Sequence, residues 1–309
     1  MELKHIIESQ QFNRDWLEKE FFPLTKQMEN IAKEGGSNSL SGKKMITFFY
    51  EPSTRTRASF EIAMNMLDGK VVFSTENARQ FSSVAKGETI EDTIRILCSY
   101  KPDVIVIRAD EQGMVKRAAQ FSSVPIINAG DGTGQHPTQA LLDIYTIQKE
   151  IGRINGTAIA MVGDLTRGRT VRSLSYLYAK FPDVKIHFVA PPTLKIKEDI
   201  KEYLKKHNVW FQEEDDLKKV APLVDIIYQT RIQKERISSL EGAEELIKGS
   251  YVINQEIMNL MKKDAIVMHP LPRVDEISSE VDIDHRAAYF RQAENGLYIR
   301  MALLQMLLG

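Results

Sequence analysis

Five short segments of this chain carry residues able to hold an anion or polarise a carbonyl, and each follows an apolar run. The first is Phe49-Tyr50-Glu51-Pro52-Ser53-Thr54-Arg55-Thr56-Arg57, which joins a strand-like stretch to a helix-like one. Pro52 lacks a backbone N–H and can end strand pairing. Ser53 and Thr54 are good N-cap types whose hydroxyls can also hydrogen-bond an anion, and the free N–H groups of a helix N-terminus favour phosphate. Arg55 adds a planar fork suited to phosphate oxygens. The same residues also read as a capped helix with exposed arginines.

The second segment is Gly130-Asp131-Gly132-Thr133-Gly134-Gln135-His136-Pro137-Thr138-Gln139. Its glycines permit a tight turn and close backbone approach. His136 and Gln139 are three residues apart at a helix start and can project to one side. There His136 could donate to a carbonyl oxygen, or be a surface histidine after a turn. The third, Gly163-Asp164-Leu165-Thr166-Arg167-Gly168-Arg169-Thr170, nearly matches a nucleotide P-loop, but Arg169 stands where that loop has lysine. Arginine prefers flat, bidentate contacts, so a carboxylate-binding arginine suits this loop better than nucleotide triphosphate chemistry. The fourth and fifth are Gln229-Thr230-Arg231-Ile232-Gln233-Lys234-Glu235-Arg236 and His269-Pro270-Leu271-Pro272-Arg273. Alone, each reads as an ordinary polar or proline-stiffened loop.

The elements around these segments explain their shared position. Strand-like runs are expected at residues 45–50, 71–73, 103–107 and 124–127, and again at 158–162, 184–189, 209–212, 225–228 and 265–268. Helices are expected at 12–33, broken by Pro23, and at 57–67, 88–97, 114–120, 138–150, 170–180, 198–206, 255–261 and 285–308. Near-continuous apolar strands alternating with helices point to an α/β fold of two doubly wound parallel-sheet domains linked by helices. The helix at 138–150 serves as the link, and the last helix is expected to pack back on the first domain. Ligands of such sheets bind beyond the carboxyl ends of the strands. All five segments lie there.

Composition narrows the classes. With 309 residues, two domains are the natural division. A net charge of -1 gives no global attraction to nucleic acid or a membrane surface, so any anion site must be a local cluster. Cys98 is the one cysteine, which excludes an internal disulfide and a thiolate metal site; it reads as a small buried residue. The histidines form no HExxH pair. No metal and no cofactor are expected. The first ten residues lack a signal-peptide core and no apolar run is of membrane-spanning length, so a cytoplasmic location is expected.

Taken in order, the five segments resemble the aspartate/ornithine carbamoyltransferase family across residues 49–273. Ser53-Thr54-Arg55-Thr56-Arg57 is similar to its carbamoyl-phosphate loop, and His136-Pro137-Thr138-Gln139 to its second motif. His269-Pro270-Leu271-Pro272 resembles the aspartate branch; the ornithine branch carries a cysteine there. The resemblance implies transfer of a carbamoyl group from carbamoyl phosphate to the amine of L-aspartate, in pyrimidine biosynthesis. It implies a carbamoyl-phosphate domain at 1–136, completed by the helix at about 285–309, and an aspartate domain at 150–284. By the same resemblance Ser53, Thr54, Arg55 and Thr56 hold phosphate. Thr56, Arg108 and His136 polarise the carbonyl. Gln139 and the carbonyls of Leu271 and Pro272 hold the carbamoyl NH2. Lys86, Arg169, Arg231 and Gln233 bind aspartate.

Ser82 and Lys86 match a loop that family members donate from a neighbouring subunit, which implies a homotrimer with shared active sites. Some members also bind a separate regulatory chain. Glu51 would pair with Arg169 and Arg236 when the domains close. One departure stands out: Ala109-Asp110-Glu111 follows Arg108, where many aspartate-branch members have histidine. Three rival readings follow: another amine acceptor, a non-catalytic homologue serving as a structural partner, and the P-loop reading.

Overall fold

The computed structural model describes residues 3–232 and 251–309. Among these, β1 (Lys44–Phe49), β2 (Lys70–Thr75), β3 (Val104–Ala109) and β4 (Ile126–Asp131) form one sheet in the order β2-β1-β3-β4. A second sheet holds β5 (Ala158–Val162), β6 (Lys185–Val189), β7 (Trp210–Glu214), β8 (Ile226–Gln229) and β9 (Ile266–Met268) in the order β7-β6-β5-β8-β9. Every pairing in both sheets is parallel. The expected α/β class is therefore observed.

The chain divides into two compact units, Met1–Leu142 with Glu294–Gly309, and Asp143–Ala293. The division falls inside helix Pro137–Ile151 and near the start of helix Tyr289–Leu308. Most of the last helix thus belongs to the first unit, where Ser39 Oγ donates to Gln305 Oε1 at 2.6 Å and Arg300 stacks over Phe60.

The continuous apolar runs become strands buried on both faces. β3 is buried at every residue but one, and β4, β5, β8 and β9 are buried throughout. Each fully buried Ile, Val or Met in them contributes roughly 1.5–3 kcal/mol. One edge strand of each sheet differs: β2 leaves Val72 50% and Phe73 46% exposed, and β7 leaves Trp210 45% exposed.

Three expectations are corrected in detail. Pro23 does not break the first helix. The chain is helical from Arg14 to Lys33, with a wide turn of π type at Leu17–Phe21 just before helix Phe22–Lys33. A proline offers no N–H, and the widened turn absorbs the missing bond. Next, β4 runs on past residue 127 through Asn128, Gly130 and Asp131. Those polar residues are tolerated because Asn128 Nδ2 donates to the Ile7 carbonyl at 2.8 Å and Asp131 accepts the Gly113 N–H at 2.9 Å. Finally, the last helix starts at Tyr289 rather than 285. The segment before it is pinned to β9, with Val267 N–H donating to Arg286 O and Ala288 N–H to Val267 O.

At the end of β5 the backbone turns at Gly163, whose φ is +117°. A methyl there would meet the Thr230 carbonyl oxygen at 2.4 Å. Thr230 in turn donates both its N–H and its hydroxyl to the Val162 carbonyl, at 2.8 Å each. Only glycine combines that dihedral with that approach. Gly163→Ala should therefore cost about 2 kcal/mol or more of stability. Thermal unfolding would read this as a lowered midpoint; an unchanged midpoint would show that the turn relaxes freely.

Candidate active site

In both sheets the strand order reverses beside the first strand in sequence. That happens between β1 and β3 in one and between β5 and β8 in the other. At such a switch point the connections leave in opposite directions, and a crevice opens beyond the carboxyl ends. The candidate residues of each unit follow these strands.

In the first unit β1 leads into helix Thr54–Met66, preceded by Ser53 in a non-helical conformation that makes no side-chain cap. Phe49 pairs with Arg108 across β1 and β3. Thr56 is buried, and Arg55 is exposed. No carboxylate among the described residues lies within ion-pair distance of Arg55, and desolvation by its surroundings lowers its pKa from the ordinary arginine value. Arg57, one turn position away, is instead occupied by Glu76 at 3.2 Å and Glu61 at 3.9 Å. Arg57 is thus engaged by carboxylates, whereas Arg55 has none within reach among the described residues.

Arg108 lies at the β3 end with its side chain 13% exposed, ion-paired to Glu51 at 2.7 Å and donating to the Ala129 carbonyl at 3.3 Å. Glu51 therefore orients Arg108 in this structure, a pairing the sequence did not suggest; of its expected partners Arg169 and Arg236, the latter lies outside the described residues. Following β4, Gly132 adopts a φ of +54° with its would-be methyl 2.8 Å from the Asp110 carbonyl. The turn delivers His136 and Gln139, both buried, to the start of helix Pro137–Ile151. His136 Nδ1 lies 3.4 Å from the Thr138 hydroxyl.

Asp110 and Glu111, the departure noted in the sequence, are ion-paired with a residue that sequence reasoning missed. Arg79 grips Asp110 with two bonds of 2.8 Å, reaches Glu111 at 3.2 Å and sits 5.7 Å from the Tyr50 ring centroid. No spacing rule links residues so far apart in the chain. Beyond Arg79, Ser82 spends its hydroxyl locally, donating to the Ala78 carbonyl at 2.6 Å and accepting the Val84 N–H at 3.1 Å. Lys86 is exposed and has no ion-pair partner among the described residues. Cys98 is only partly buried, with its sulfur 3.5 Å from the Ser122 hydroxyl.

In the second unit the Gly163 turn leads to Arg169, the first residue of helix Arg169–Tyr178. Asp164 Oδ1 accepts the Arg167 N–H at 3.0 Å and shapes the loop. Arg172 is held by Asp199, with a 3.1 Å bond among its contacts, and so is committed to structure. Arg231 follows Thr230 beyond β8. Gln233 lies outside the described residues. Beyond β9, His269 Nδ1 accepts the Leu271 N–H at 2.7 Å, and its Nε2–H donates to Glu276 at 2.8 Å. Leu271 is thereby fixed at a φ of +48°, ahead of a cis bond to Pro272. Arg273 is bound to Asp282 and Tyr289.

The structure thus gathers Glu51, Ser53 to Thr56, Arg108, His136 and Gln139 at the strand ends of the first unit. It gathers Arg169, Arg231, Leu271 and Pro272 at those of the second. Among the described residues no cluster of three or more His, Cys, Asp or Glu is placed to hold a metal ion, and no helix is long and apolar enough to cross a membrane.

Residues 4–149 match the family profile "Aspartate/ornithine carbamoyltransferase, carbamoyl-P binding domain", and residues 155–307 match the companion "Asp/Orn binding domain". The chain belongs to the aspartate/ornithine carbamoyltransferase family. Within it, the chain is 56% identical over 308 residues to the chloroplastic aspartate carbamoyltransferase 1 of Pisum sativum, covering 99% of this chain and 79% of the relative. It is 50% identical to the aspartate carbamoyltransferase catalytic subunit of Thermoplasma volcanium, over 94% of this chain and 93% of the relative. The M. jannaschii aspartate transcarbamoylase catalytic subunit superposes with a TM-score of 0.90 at 46% identity, covering 99% of this chain and 98% of that one. The Trypanosoma cruzi aspartate transcarbamoylase in complex with carbamoyl phosphate and aspartate gives 0.91 at 40% identity, covering 100% and 98%.

The family motifs did not reveal Glu276, which sits buried beside His269. Burial alone would push its carboxyl up, but the His269 N–H and the Val274 N–H at 3.1 Å outweigh that and hold its pKa below the ordinary 4.5. A depressed carboxylate stabilises the fold above its unfolded pKa, and loses that contribution as pH falls through the folded value. Glu276→Gln should therefore lower the melting temperature at neutral pH, with the gap to the parent closing in acid. A gap that stays constant across that range would contradict the assignment.

Proposed function

We propose that the chain transfers the carbamoyl group of carbamoyl phosphate to the amine of L-aspartate, giving N-carbamoyl-L-aspartate and phosphate in pyrimidine biosynthesis. The observation that carries this reading is its similarity, over nearly the whole chain, to aspartate carbamoyltransferases, with an aspartate-type His269-Pro270-Leu271-Pro272 segment. The chemistry agrees, since a dicarboxylic acceptor calls for cationic forks such as Arg169 and Arg231, which would repel the cationic side chain of ornithine.

The residues act as follows in this reading. Ser53, Thr54, Arg55, Thr56 and the helix N-terminus hold the phosphate. Gln139 and the Leu271 and Pro272 carbonyls accept or offer hydrogen bonds to the carbamoyl amide and so orient it. Lys86, Arg169, Arg231 and Gln233 bind the aspartate carboxylates. The neutral amine attacks the carbamoyl carbon, and negative charge develops on the former carbonyl oxygen. Thr56, Arg108 and His136 donate to that oxygen; one such preorganised donor is worth roughly 3–4 kcal/mol. Glu51 keeps the Arg108 guanidinium in place while its charge is needed. The C–O bond to phosphate then breaks, Arg55 holds the departing charge, and the amine proton passes to the phosphate. Positioning and electrostatics supply most of the acceleration.

Two finer statements belong to the same proposal. A homotrimer is supported by the edge of the first sheet, where Val72, Phe73 and the 74% exposed Phe81 lie in and after β2, in the segment leading to Ser82 and Lys86. Apolar exposure on that scale suits a subunit interface better than a solvated surface. Cytoplasmic location is the compartment proposed, while the pea and Arabidopsis relatives are named chloroplastic.

Ureido product formation tests the reaction. With carbamoyl phosphate present, L-aspartate should be consumed and L-ornithine should not. Arg55→Ala should abolish turnover, whereas Arg57→Ala should chiefly lower stability. Turnover with ornithine would overturn the acceptor assignment, and an active Arg55→Ala variant would overturn the phosphate site. Light scattering should give the mass of three chains; a monomer with full activity would remove the shared-site reading.

A further inference from the structure

Arg79 has no part in the roles given above, yet it makes one of the densest polar contacts of the first unit. It lies in the short helix Ala78–Phe81, immediately ahead of Ser82. Its guanidinium takes both oxygens of Asp110 at 2.8 Å each and one of Glu111 at 3.2 Å. Those acids follow the end of β3, where Arg108 lies. Glu111 also reaches Arg117 at 4.0 Å, and Arg117 donates to Glu91 at 3.3 Å. Glu91 is in the first turn of helix Ile90–Ser99, immediately after the loop that carries Ser82 and Lys86. Residues 110–117 thus grip that loop on both sides, ahead of it through Arg79 and behind it through Glu91.

The grip is laid over an apolar anchor. Ala78, Val84 and Ile90 are buried in one cluster with Tyr50 and Ala109, so the loop touches the core at three points. The Arg79 guanidinium stands 5.7 Å from the Tyr50 ring centroid, which places it above that cluster. Apolar contacts fix how deep the loop sits but have little directional preference. Isolated exposed ion pairs stabilise little, whereas a bidentate arginine shared between carboxylates fixes a direction. Lys86 is left exposed, with no ion-pair partner among the described residues.

We propose that Arg79, clasped by Asp110 and Glu111, is a positioning residue that holds the loop of Ser82 and Lys86 in the conformation that completes a neighbouring subunit's acceptor site. The inference rests on the shared-site reading above. It gives a use to the acidic pair that follows Arg108. The clasp lies within one chain, and the site it tunes belongs to the next. Without it Ala78 and Val84 stay anchored in the core, and the loop between and beyond them is free to take other directions.

Arg79→Met keeps much of the side chain's apolar length and removes the fork. Steady-state kinetics on the full chain should show kcat/KM for L-aspartate falling about tenfold, since a small misplacement of a positioning group costs that much or more. Asp110→Asn should act in the same direction, and the double variant should do no more than Arg79→Met alone, because both changes cut one link. The deciding measurement mixes chains. Oligomers of Arg79→Met and Arg55→Ala chains, isolated by a tag on one of them, contain sites that join an intact Arg55 to a neighbour's intact loop. Those sites should recover the parent's kcat/KM for L-aspartate. Mixed oligomers that stay impaired would mean that the clasp serves its own chain's Arg108 or its stability alone, and would overturn the proposal. Parent kinetics in both single variants would overturn it too. A parent chain fully active as a monomer by light scattering would instead sink the shared-site reading, and this inference with it.

Discussion

Parallel pairing of β1 with β3 and of β5 with β8 constrains everything else in this molecule. Parallel strands need crossovers, and the right-handed crossover returns each strand's chain to the same edge of its sheet. Where the strand order reverses, neighbouring connections leave on opposite faces and cannot fill the space between them. The carboxyl ends of β1, β3 and β4 thus present Ser53 to Thr56, Arg108, His136 and Gln139 together, although they span nearly ninety positions of the chain. β5, β8 and β9 do the same for Arg169, Arg231 and Leu271.

Within that frame, charge is divided between two uses. Arg57, Arg79, Arg172 and Arg273 are all engaged by carboxylates, and each secures a loop or helix. Arg55 and Lys86 have no such partner among the described residues. Exposed ion pairs are individually worth little, typically under about 1 kcal/mol, so the engaged arginines matter for geometry more than for stability. Arg108 stands between the two groups, since Glu51 fixes its direction while leaving it at the strand end. The buried His269–Glu276 pair is of another kind: it selects the histidine tautomer whose Nδ1 can hold Leu271 in the left-handed region. Preorganisation of this sort fixes the direction of the loop's backbone groups before any ligand arrives.

The sequence made the alternation of strands and helices legible because parallel strands buried on both faces are nearly unbroken apolar runs. It placed five candidate loops beyond the strand ends, and resemblance to a family, rather than the residues of any one loop, gave those loops their expected roles. Where it misled, a polar or proline residue had a distant partner. Asn128 and Asp131 lie beyond the strand expected at 124–127, yet Ile7 and Gly113 satisfy them inside the sheet. Pro23 read as a break, yet one widened helical turn accommodates it.

Local chemistry therefore determined the fold class and the placing of five candidate loops beyond the strand ends. Periodicity, capping preference and side-chain charge are properties of adjacent residues. Tertiary structure decided which charges are spent and which remain available. It turned Arg57 toward Glu76, paired Asp110 and Glu111 with Arg79, set Glu51 against Arg108, and placed Glu276 and Gln292 around His269. Those pairings join residues far apart in the chain across a few ångströms. Whether two such groups meet depends on how sheets and helices pack, and no spacing rule within a single segment contains that information.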